Sequence, residues 1–196
     1  LVKPGSAGGK KFYLGRIHMS ELVRFEKRGP IGVITVDNPP VNALSPGVPE
    51  GMAECVAKGN ADPDIKAMVL IGQGGKFIAG ADIKQMGKGN TTPTEWRETV
   101  EMSEKPVVAA IQGYALGGGL ETAMLCNYRI ASETAKIGQP EVAIGIIPGA
   151  GGTQRVPRLA GVQAALDMIV GGEHYPSSAG KDLGILDDIY SDDSFL

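Results

Sequence analysis

KPVVAAIQGYALGGGLE, the stretch at residues 105–121, determines the fold class of this chain. Pro106 ends any preceding helix, and the apolar run Val107–Ile111 has the length and composition of a buried strand. The glycines at 117–119 predict a tight loop, and the apolar residues 120–126 predict a helix. This succession of strand, glycine loop and helix is typical of α/β proteins.

The same order occurs a second time, upstream. The apolar run 67–71 predicts a buried strand, and Gly80 and Ala81 lead to a short helix that Asp82 would cap. A helix N-terminus exposes N–H groups without intrahelical acceptors, and glycine lets a ligand approach that backbone closely. We therefore predict an oxyanion hole, a pair of donors for one carbonyl oxygen, formed by the backbone N–H groups of Ala81 and Gly118.

Glycine loops before helices have other uses, and each loop taken alone is more typical of a structural turn or a phosphate site. The dinucleotide pattern G-x-G-x-x-G fails because Thr122 stands where the third glycine is required. The pattern G-x-x-x-x-G-K-[ST] does not occur either. The two loops therefore do not indicate a nucleotide-binding fingerprint.

The rest of the chain also alternates strands with helices. Further strands are predicted at residues 23–27, 31–36 and 128–131, and further helices from Ser45 onward and at 93–102, 149–155 and 162–170. No internal repeat or interdomain linker interrupts the pattern. The sequence predicts one α/β domain over residues 19–196.

Composition excludes several classes of protein. The chain has 196 residues and a formal net charge of −3, without the clustered basic surface that nucleic-acid binding requires. No apolar run approaches the length of about 18 residues that spans a membrane. Cys55 and Cys126 lie far apart in apolar surroundings, which predicts buried free thiols in a reducing compartment. We expect no nucleic-acid or membrane partner.

The first residues are unlike the rest. Residues 1–18 are rich in Gly and Lys without an apolar period, and are interpreted as an expression-tag remnant. His18 belongs to that remnant, which leaves His174, in a turn-like stretch, as an expected surface residue. With one histidine left, the sequence gives little support for a Ser-His-Asp triad or a multi-histidine zinc site, and no metal is expected. Acid–base chemistry would depend mainly on carboxylates.

Two carboxylates stand among apolar residues. Glu121 falls in the first turn of the helix after the triple glycine, where an acidic residue also simply matches the helix dipole. Glu141 follows Gln139-Pro140 and precedes an apolar triplet. Burial would raise both pKa values by disfavouring the charged form, as acid–base catalysis near neutral pH requires. The pattern makes both residues candidates without placing them together in space.

Four ordered blocks resemble the crotonase, or enoyl-CoA hydratase/isomerase, superfamily. The stretch at 105–121 looks like its central signature, and GQPE followed by GIIPGAGGTQR, within residues 138–155, is similar to its second. NPPVNAL at 38–44 and GADI at 80–83 match two further blocks. The resemblance runs from about residue 22 to residue 187 and is closest to the amino-terminal hydratase unit of multifunctional fatty-acid β-oxidation enzymes.

The resemblance implies a spiral of ββα units that assembles as a trimer or a dimer of trimers and binds acyl-CoA. Coenzyme A would enter as part of the substrate, without a separate cofactor. The family normally continues into a C-terminal helical segment, which we expect to be missing or truncated here. The implied compartment is the cytoplasm for a bacterial parent and the peroxisome for a eukaryotic one.

The resemblance also assigns roles to single positions. The N–H groups of Ala81 and Gly118 would hold the thioester oxygen. Glu121 would mainly activate water, Glu141 would mainly protonate the α-carbon, and the Gly149 backbone would help to position the water. The residues expected to line the channel for the CoA portion are Asn42, Ala43, Ala79, Asp82 and Ile83.

Three functions remain open at this point. The leading hypothesis is hydration of trans-2-enoyl-CoA to 3-hydroxyacyl-CoA, because both glutamates are present. The second is Δ3–Δ2 enoyl-CoA isomerisation, which resembles this pattern but relies on the carboxylate at Glu141 alone. The third is a truncated core that binds acyl-CoA without turnover.

Overall fold

The computed structural model describes residues 21–85 and 94–192, so the predicted tag at residues 1–18 lies outside the described residues. The strands are β1 (Val23–Arg28), β2 (Ile31–Val36), β3 (Ala67–Gly72), β4 (Val107–Ile111), β5 (Tyr114–Leu116), β6 (Tyr128–Ser132), β7 (Lys136–Gly138), β8 (His174–Pro176) and β9 (Asp188–Tyr190). The helices are α1 (Val48–Ala61), α2 (Glu95–Glu101), α3 (Gly118–Ala123), α4 (Gly152–Ile169) and α5 (Ser177–Asp182). Short 3₁₀ turns cover Ile83–Gln85 and Pro140–Ile144.

The strands form two sheets. The larger sheet has the order β1-β2-β3-β4-β6-β9, antiparallel between β1 and β2 and parallel elsewhere. The smaller sheet has the order β5-β7-β8, parallel between β5 and β7 and antiparallel between β7 and β8. Two strands followed by a helix recur as β1-β2-α1, β4-β5-α3 and β6-β7-α4. The predicted α/β architecture of ββα units is confirmed.

The core lies between the large sheet and the helices. Ile34, Leu70 and Ile111, from β2, β3 and β4, are almost fully buried, as are Met52 of α1 and Leu120 of α3. Each such side chain contributes roughly 1.5–3 kcal/mol by leaving water. The central parallel strands β3 and β4 carry the continuous apolar runs expected of strands covered on both faces.

Several predicted boundaries were wrong for local reasons. The helix predicted at 120–126 begins at Gly118, so two of the three glycines are helical, and it ends at Ala123. The Leu125 and Cys126 N–H groups bond three residues back, which tightens the chain into a turn. The helices predicted at 149–155 and 162–170 are both part of α4, which Gly161 interrupts with a φ of 82°.

The two cysteines are buried free thiols, as predicted. Burial raises the pKa of the Cys55 thiol to about 11 and that of the Cys126 thiol to about 12. Both thiols are therefore protonated and unreactive near neutral pH.

Candidate active site

A cavity of about 530 Å³ lies between the start of α3, the segment at 79–83 and the segment at 140–150. This volume is typical of small-molecule sites. Its lining includes all five residues predicted to act in catalysis: Ala81, Gly118, Glu121, Glu141 and Gly149. The structure therefore brings together residues that lie up to 68 positions apart in the sequence.

Pairing between β5 and β7 brings the two glutamates to one cavity. Glu121 lies in the first turn of α3, directly after β5, and Glu141 lies in the 3₁₀ turn directly after β7. These strands run parallel, and the Gly117 N–H donates to the Gly138 carbonyl oxygen at 2.9 Å just beyond them. Because both turns leave the same end of the small sheet, their first residues meet at its edge.

Main-chain donors hold the Glu121 carboxylate in place. Glu121 is only 3% exposed, and its Oε1 accepts hydrogen bonds from the N–H groups of Ala150 at 2.7 Å and Gly152 at 2.8 Å. These donors belong to the loop that opens α4. A buried carboxylate needs such partners, and bonds to a charged acceptor are the strong ones. The arrangement fixes the position of Glu121 independently of the side chains in that loop.

The Glu141 carboxylate is also buried. In the amide orientation that gives both groups a hydrogen-bond partner, the Gln139 side-chain nitrogen donates to Glu141 Oε1 at 3.0 Å and to Oε2 at 3.1 Å. Burial raises the pKa of Glu141 from its ordinary 4.5 to about 7, and the nearby Glu121 carboxylate adds to the rise. The predicted effect of burial on this residue is confirmed. At neutral pH the Glu141 carboxyl group is able both to give and to take a proton.

Two backbone amides approach each other in the lining of the same cavity. A Cβ built on Gly118 would lie 3.5 Å from the Ala81 nitrogen and 2.9 Å from Leu44 Cδ1. Within the described parts of the chain, neither the Ala81 nor the Gly118 N–H has a hydrogen-bond acceptor. Gly118 is the first residue of α3, so the helix dipole favours negative charge beside it. This pair of adjacent donors is the feature expected of an oxyanion hole.

The residues predicted to line the CoA channel divide into two groups. Ala79 and Ile83 line the cavity, and Ile83 is 62% exposed. Asn42, Ala43 and Asp82 lie outside its lining.

Asn42, Ala43 and Asp82 all form hydrogen bonds within the protein. The Asn42 amide donates to the carbonyl oxygens of Gln73 and Lys76, at 3.1 and 2.7 Å. The Ala43 carbonyl accepts from the Asn38 side chain at 2.8 Å. Asp82 accepts from the Ser45 hydroxyl at 2.8 Å and, as predicted for a cap, from the Lys84 N–H at 3.0 Å. Their role towards CoA stays a prediction.

Several cavity residues were not predicted. Trp96 and Arg97 reach the cavity from α2, and His174, expected only at the surface, is exposed but also lies in the lining. His174 reaches it because β8 pairs with β7, a contact between three-residue strands that the sequence did not indicate. Gln139, fully buried beside Glu141, precedes it by two positions, and a buried polar side chain there could have been suspected.

Comparisons with known proteins identify the family of this chain. The profile of the enoyl-CoA hydratase/isomerase family matches residues 26–196. The chain belongs to this family. A family member of Danio rerio, a peroxisomal bifunctional enzyme, is 45% identical over 172 residues, covering 86% of this chain and 24% of its own length. A probable enoyl-CoA hydratase of Bacillus subtilis (strain 168) is 43% identical over 165 residues, covering 80% of this chain and 64% of its own length.

Solved structures similar to this chain show the same fold. DspI of Pseudomonas aeruginosa superposes with a TM-score of 0.85 at 32% identity, covering 93% of this chain and 78% of that one. An enoyl-CoA hydratase from Bacillus anthracis gives 0.79 at 32% identity, covering 87% of this chain and 70% of that one. The predicted crotonase-like fold and the resemblance to bifunctional β-oxidation enzymes are therefore confirmed. The chain spans about a quarter of the length of the bifunctional relatives, which include peroxisomal proteins.

Residues 21–85 and 94–192 contain no helix long and apolar enough to cross a membrane. The same residues contain no group of three or more His, Cys, Asp or Glu side chains that could hold a metal ion.

Proposed function

We propose that this chain hydrates trans-2-enoyl-CoA thioesters to 3-hydroxyacyl-CoA. One observation carries the proposal: Glu121 and Glu141 line the same cavity as the two unbonded N–H groups of Ala81 and Gly118. Hydration needs a base for water, an acid for carbon and donors for a developing oxyanion. The cavity offers one group for each need.

The proposed reaction adds one water molecule across the double bond. The Glu121 carboxylate takes a proton from water as the water oxygen bonds to the β-carbon. The electron pair of the double bond moves into an enolate, whose oxygen accepts hydrogen bonds from Ala81 and Gly118. Glu141, in its protonated form, then gives its proton to the α-carbon. Glu121 then releases its proton to solvent and Glu141 takes one up from solvent, so both groups return to their starting forms.

The surroundings of each carboxylate support this division of roles. Two backbone N–H groups donate to Oε1 of Glu121 and fix the position of its carboxylate. Burial keeps a large fraction of Glu141 protonated near neutral pH, because it raises the pKa to about 7. Gly149 lines the cavity one residue before the Ala150 donor, and we infer that its backbone helps to position the attacking water.

Isomerisation of the double bond is the second candidate. It needs one group that removes a proton and returns it elsewhere, and a carboxyl with a pKa of about 7 suits that task. In this reaction Glu121 would be a bystander. The effect of removing the Glu121 carboxylate alone therefore separates the two reactions.

The surrounding biology follows from the relatives and is part of the proposal. The substrate would be an acyl-CoA of fatty-acid β-oxidation, since relatives in Oryza sativa and Arabidopsis thaliana are named for that process. Coenzyme A would enter with the substrate, and no separate cofactor or metal is proposed. We expect a trimer or a dimer of trimers, in a peroxisome or in bacterial cytoplasm.

The test follows loss of the ultraviolet absorbance of crotonyl-CoA, whose conjugation hydration removes. Glu121→Gln and Glu141→Gln should each lower kcat by about 10²–10⁴-fold. The exposed Glu54→Gln is the matched control and should retain full activity. Full hydration by Glu121→Gln would exclude the two-carboxylate mechanism, and measurable CoA binding without any turnover would favour a binding role.

A further inference from the structure

An arginine lies in the cavity with much of its hydrogen-bonding capacity unused. Arg97 of α2 is half-buried and lines the cavity. Its Nη1 donates to the Gly149 carbonyl oxygen at 3.4 Å, a long contact. Its Nε is buried and has no acceptor among the described residues. A guanidinium carries five N–H donors, so most of them are available to a ligand.

No described carboxylate neutralises this charge. Arg97 forms no ion pair with any residue of 21–85 or 94–192. The two cavity carboxylates have other donors: backbone N–H groups hold Glu121, and Gln139 faces Glu141. The ring of Trp96 lies 5.7 Å from the guanidinium carbon. A positive charge that is partly removed from water and has no ion-pair partner favours an anionic ligand group beside it.

There is room for such a group. A Cβ built on Gly149 would meet nothing within 4 Å, so space is open beside the peptide that Arg97 contacts. The next residue, Ala150, donates to Glu121 at 2.7 Å. Arg97 therefore contacts the residue that precedes a donor to Glu121, the carboxylate proposed to activate water.

We propose that Arg97 is a specificity-determining residue that selects 2-enoyl thioesters whose short acyl chain ends in a carboxylate. This inference rests on the proposed hydration, because the thioester position fixes where the chain end lies. Two N–H groups of a guanidinium bind the two oxygens of a carboxylate in parallel. The Arg97 donors without acceptors would bind the carboxylate, and the Trp96 ring would shield the pair from water.

The test compares trans-2-hexenoyl-CoA with the same thioester carrying a carboxylate at C6. The native chain should hydrate the carboxylate substrate with a kcat/KM about 10-fold or more above that of the neutral one. Arg97→Met should lower kcat/KM for the carboxylate substrate by about 10–100-fold and change the neutral one less than about 3-fold. Arg97→Lys should keep part of the preference, and Arg158→Met, exposed on α4, should keep all of it.

Three outcomes decide against the inference or separate it from the proposed function. Equal native rates for the two substrates would overturn it. An equal loss for both in Arg97→Met would show that Arg97 acts only by holding Gly149. If neither thioester is hydrated, the proposed hydration is wrong. Calorimetry with hexanoyl-CoA and with its analogue carrying a carboxylate at C6 then tests the inference by binding alone. Tighter binding of the carboxylate that Arg97→Met removes would support the inference, and equal binding would overturn it.

Discussion

Gly117 and Glu141 are in direct contact. A Cβ built on Gly117 would lie 3.0 Å from Glu141 Oε1. Gly117 also has a φ of 51°, a backbone conformation that residues with a side chain rarely adopt. The absence of a side chain at Gly117 therefore leaves the place that the Glu141 carboxylate occupies. This approach connects the end of β5 with the turn after β7.

Gly117→Ala should displace the Glu141 carboxylate and lower kcat by about 10–100-fold, because small misplacements of a reacting group are costly. The positive φ adds a stability loss of about 1–2 kcal/mol. Gly74→Ala is the matched control, since Gly74 has a φ of 72° and nothing within 4 Å of its added Cβ. It should show the stability loss in urea unfolding with unchanged kcat. Equal activities for the two variants would contradict the prediction.

Glu141 should make the protein less stable as the pH rises from 5 to 8. Its folded pKa of about 7 exceeds the ordinary 4.5, so between these values the folded chain holds a proton that the unfolded chain has released. The stabilisation is complete below the unfolded pKa and is lost as the pH rises through the folded one, by up to about 3 kcal/mol.

Glu141→Gln removes this titration. Urea unfolding of both proteins across this pH range measures it as the difference between their slopes. Parallel pH profiles would mean that burial does not raise the pKa of Glu141.

Gly118→Ala should block the space between the two unbonded amides. Its methyl group would lie 3.5 Å from the Ala81 nitrogen and 2.9 Å from Leu44 Cδ1. Loss of oxyanion stabilisation lowers kcat by about 10²–10³-fold. Leu44→Ala relieves the side-chain clash but not the blockage, so the double variant should remain inactive in steady-state assays. Recovery of activity in the double variant would show that the clash alone matters.

Glu121→Ala should loosen the loop that opens α4. It leaves the N–H groups of Ala150 and Gly152 without their acceptor, a loss of about 2–4 kcal/mol in the free energy of unfolding. Glu121→Gln keeps an oxygen acceptor and should lose less than half as much. Urea unfolding with tryptophan fluorescence of Trp96 measures both. Similar losses for the two variants would indicate that charge, rather than hydrogen bonding, holds the loop.

Asn42→Ala should lower stability more than it lowers substrate affinity. Asn42 is buried, and its amide ties the carbonyl oxygens of Gln73 and Lys76 together. Leaving these groups unpaired costs about 2–3 kcal/mol in the free energy of unfolding. The KM for crotonyl-CoA, measured well below the unfolding temperature, should change less than about 2-fold. A large rise in KM with unchanged stability would instead support the predicted contact with CoA.

Local pattern predicted much of the fold. The apolar runs at Ile31–Val36 and Val107–Ile111 are strands at the predicted positions because their side chains enter the core. The strands β5, β7, β8 and β9 have three residues each, too few for a period to show. They exist because partners from distant parts of the chain complete their hydrogen bonds, which a local pattern does not encode.

The candidate site, like the fold, was predicted only in part from local pattern. Glu121 and Glu141 were found from their apolar neighbours, which bury them. Their meeting in one cavity depends on the register of β5 with β7, and the resemblance to a known family supplied that step. Arg97 was missed because a charged residue on a short helix has the appearance of an ordinary surface residue until its neighbours are known.

The anchoring of Glu121 has a consequence for how such a site can change. Its two donors are peptide groups, at Ala150 and Gly152, so the side chain at position 150 is not required for the bond. Side chains of the cavity wall can therefore be replaced to fit new acyl groups while the main chain keeps Glu121, the proposed base, in place. Redesign of selectivity should begin at such side chains and leave the backbone of the 149–152 loop untouched.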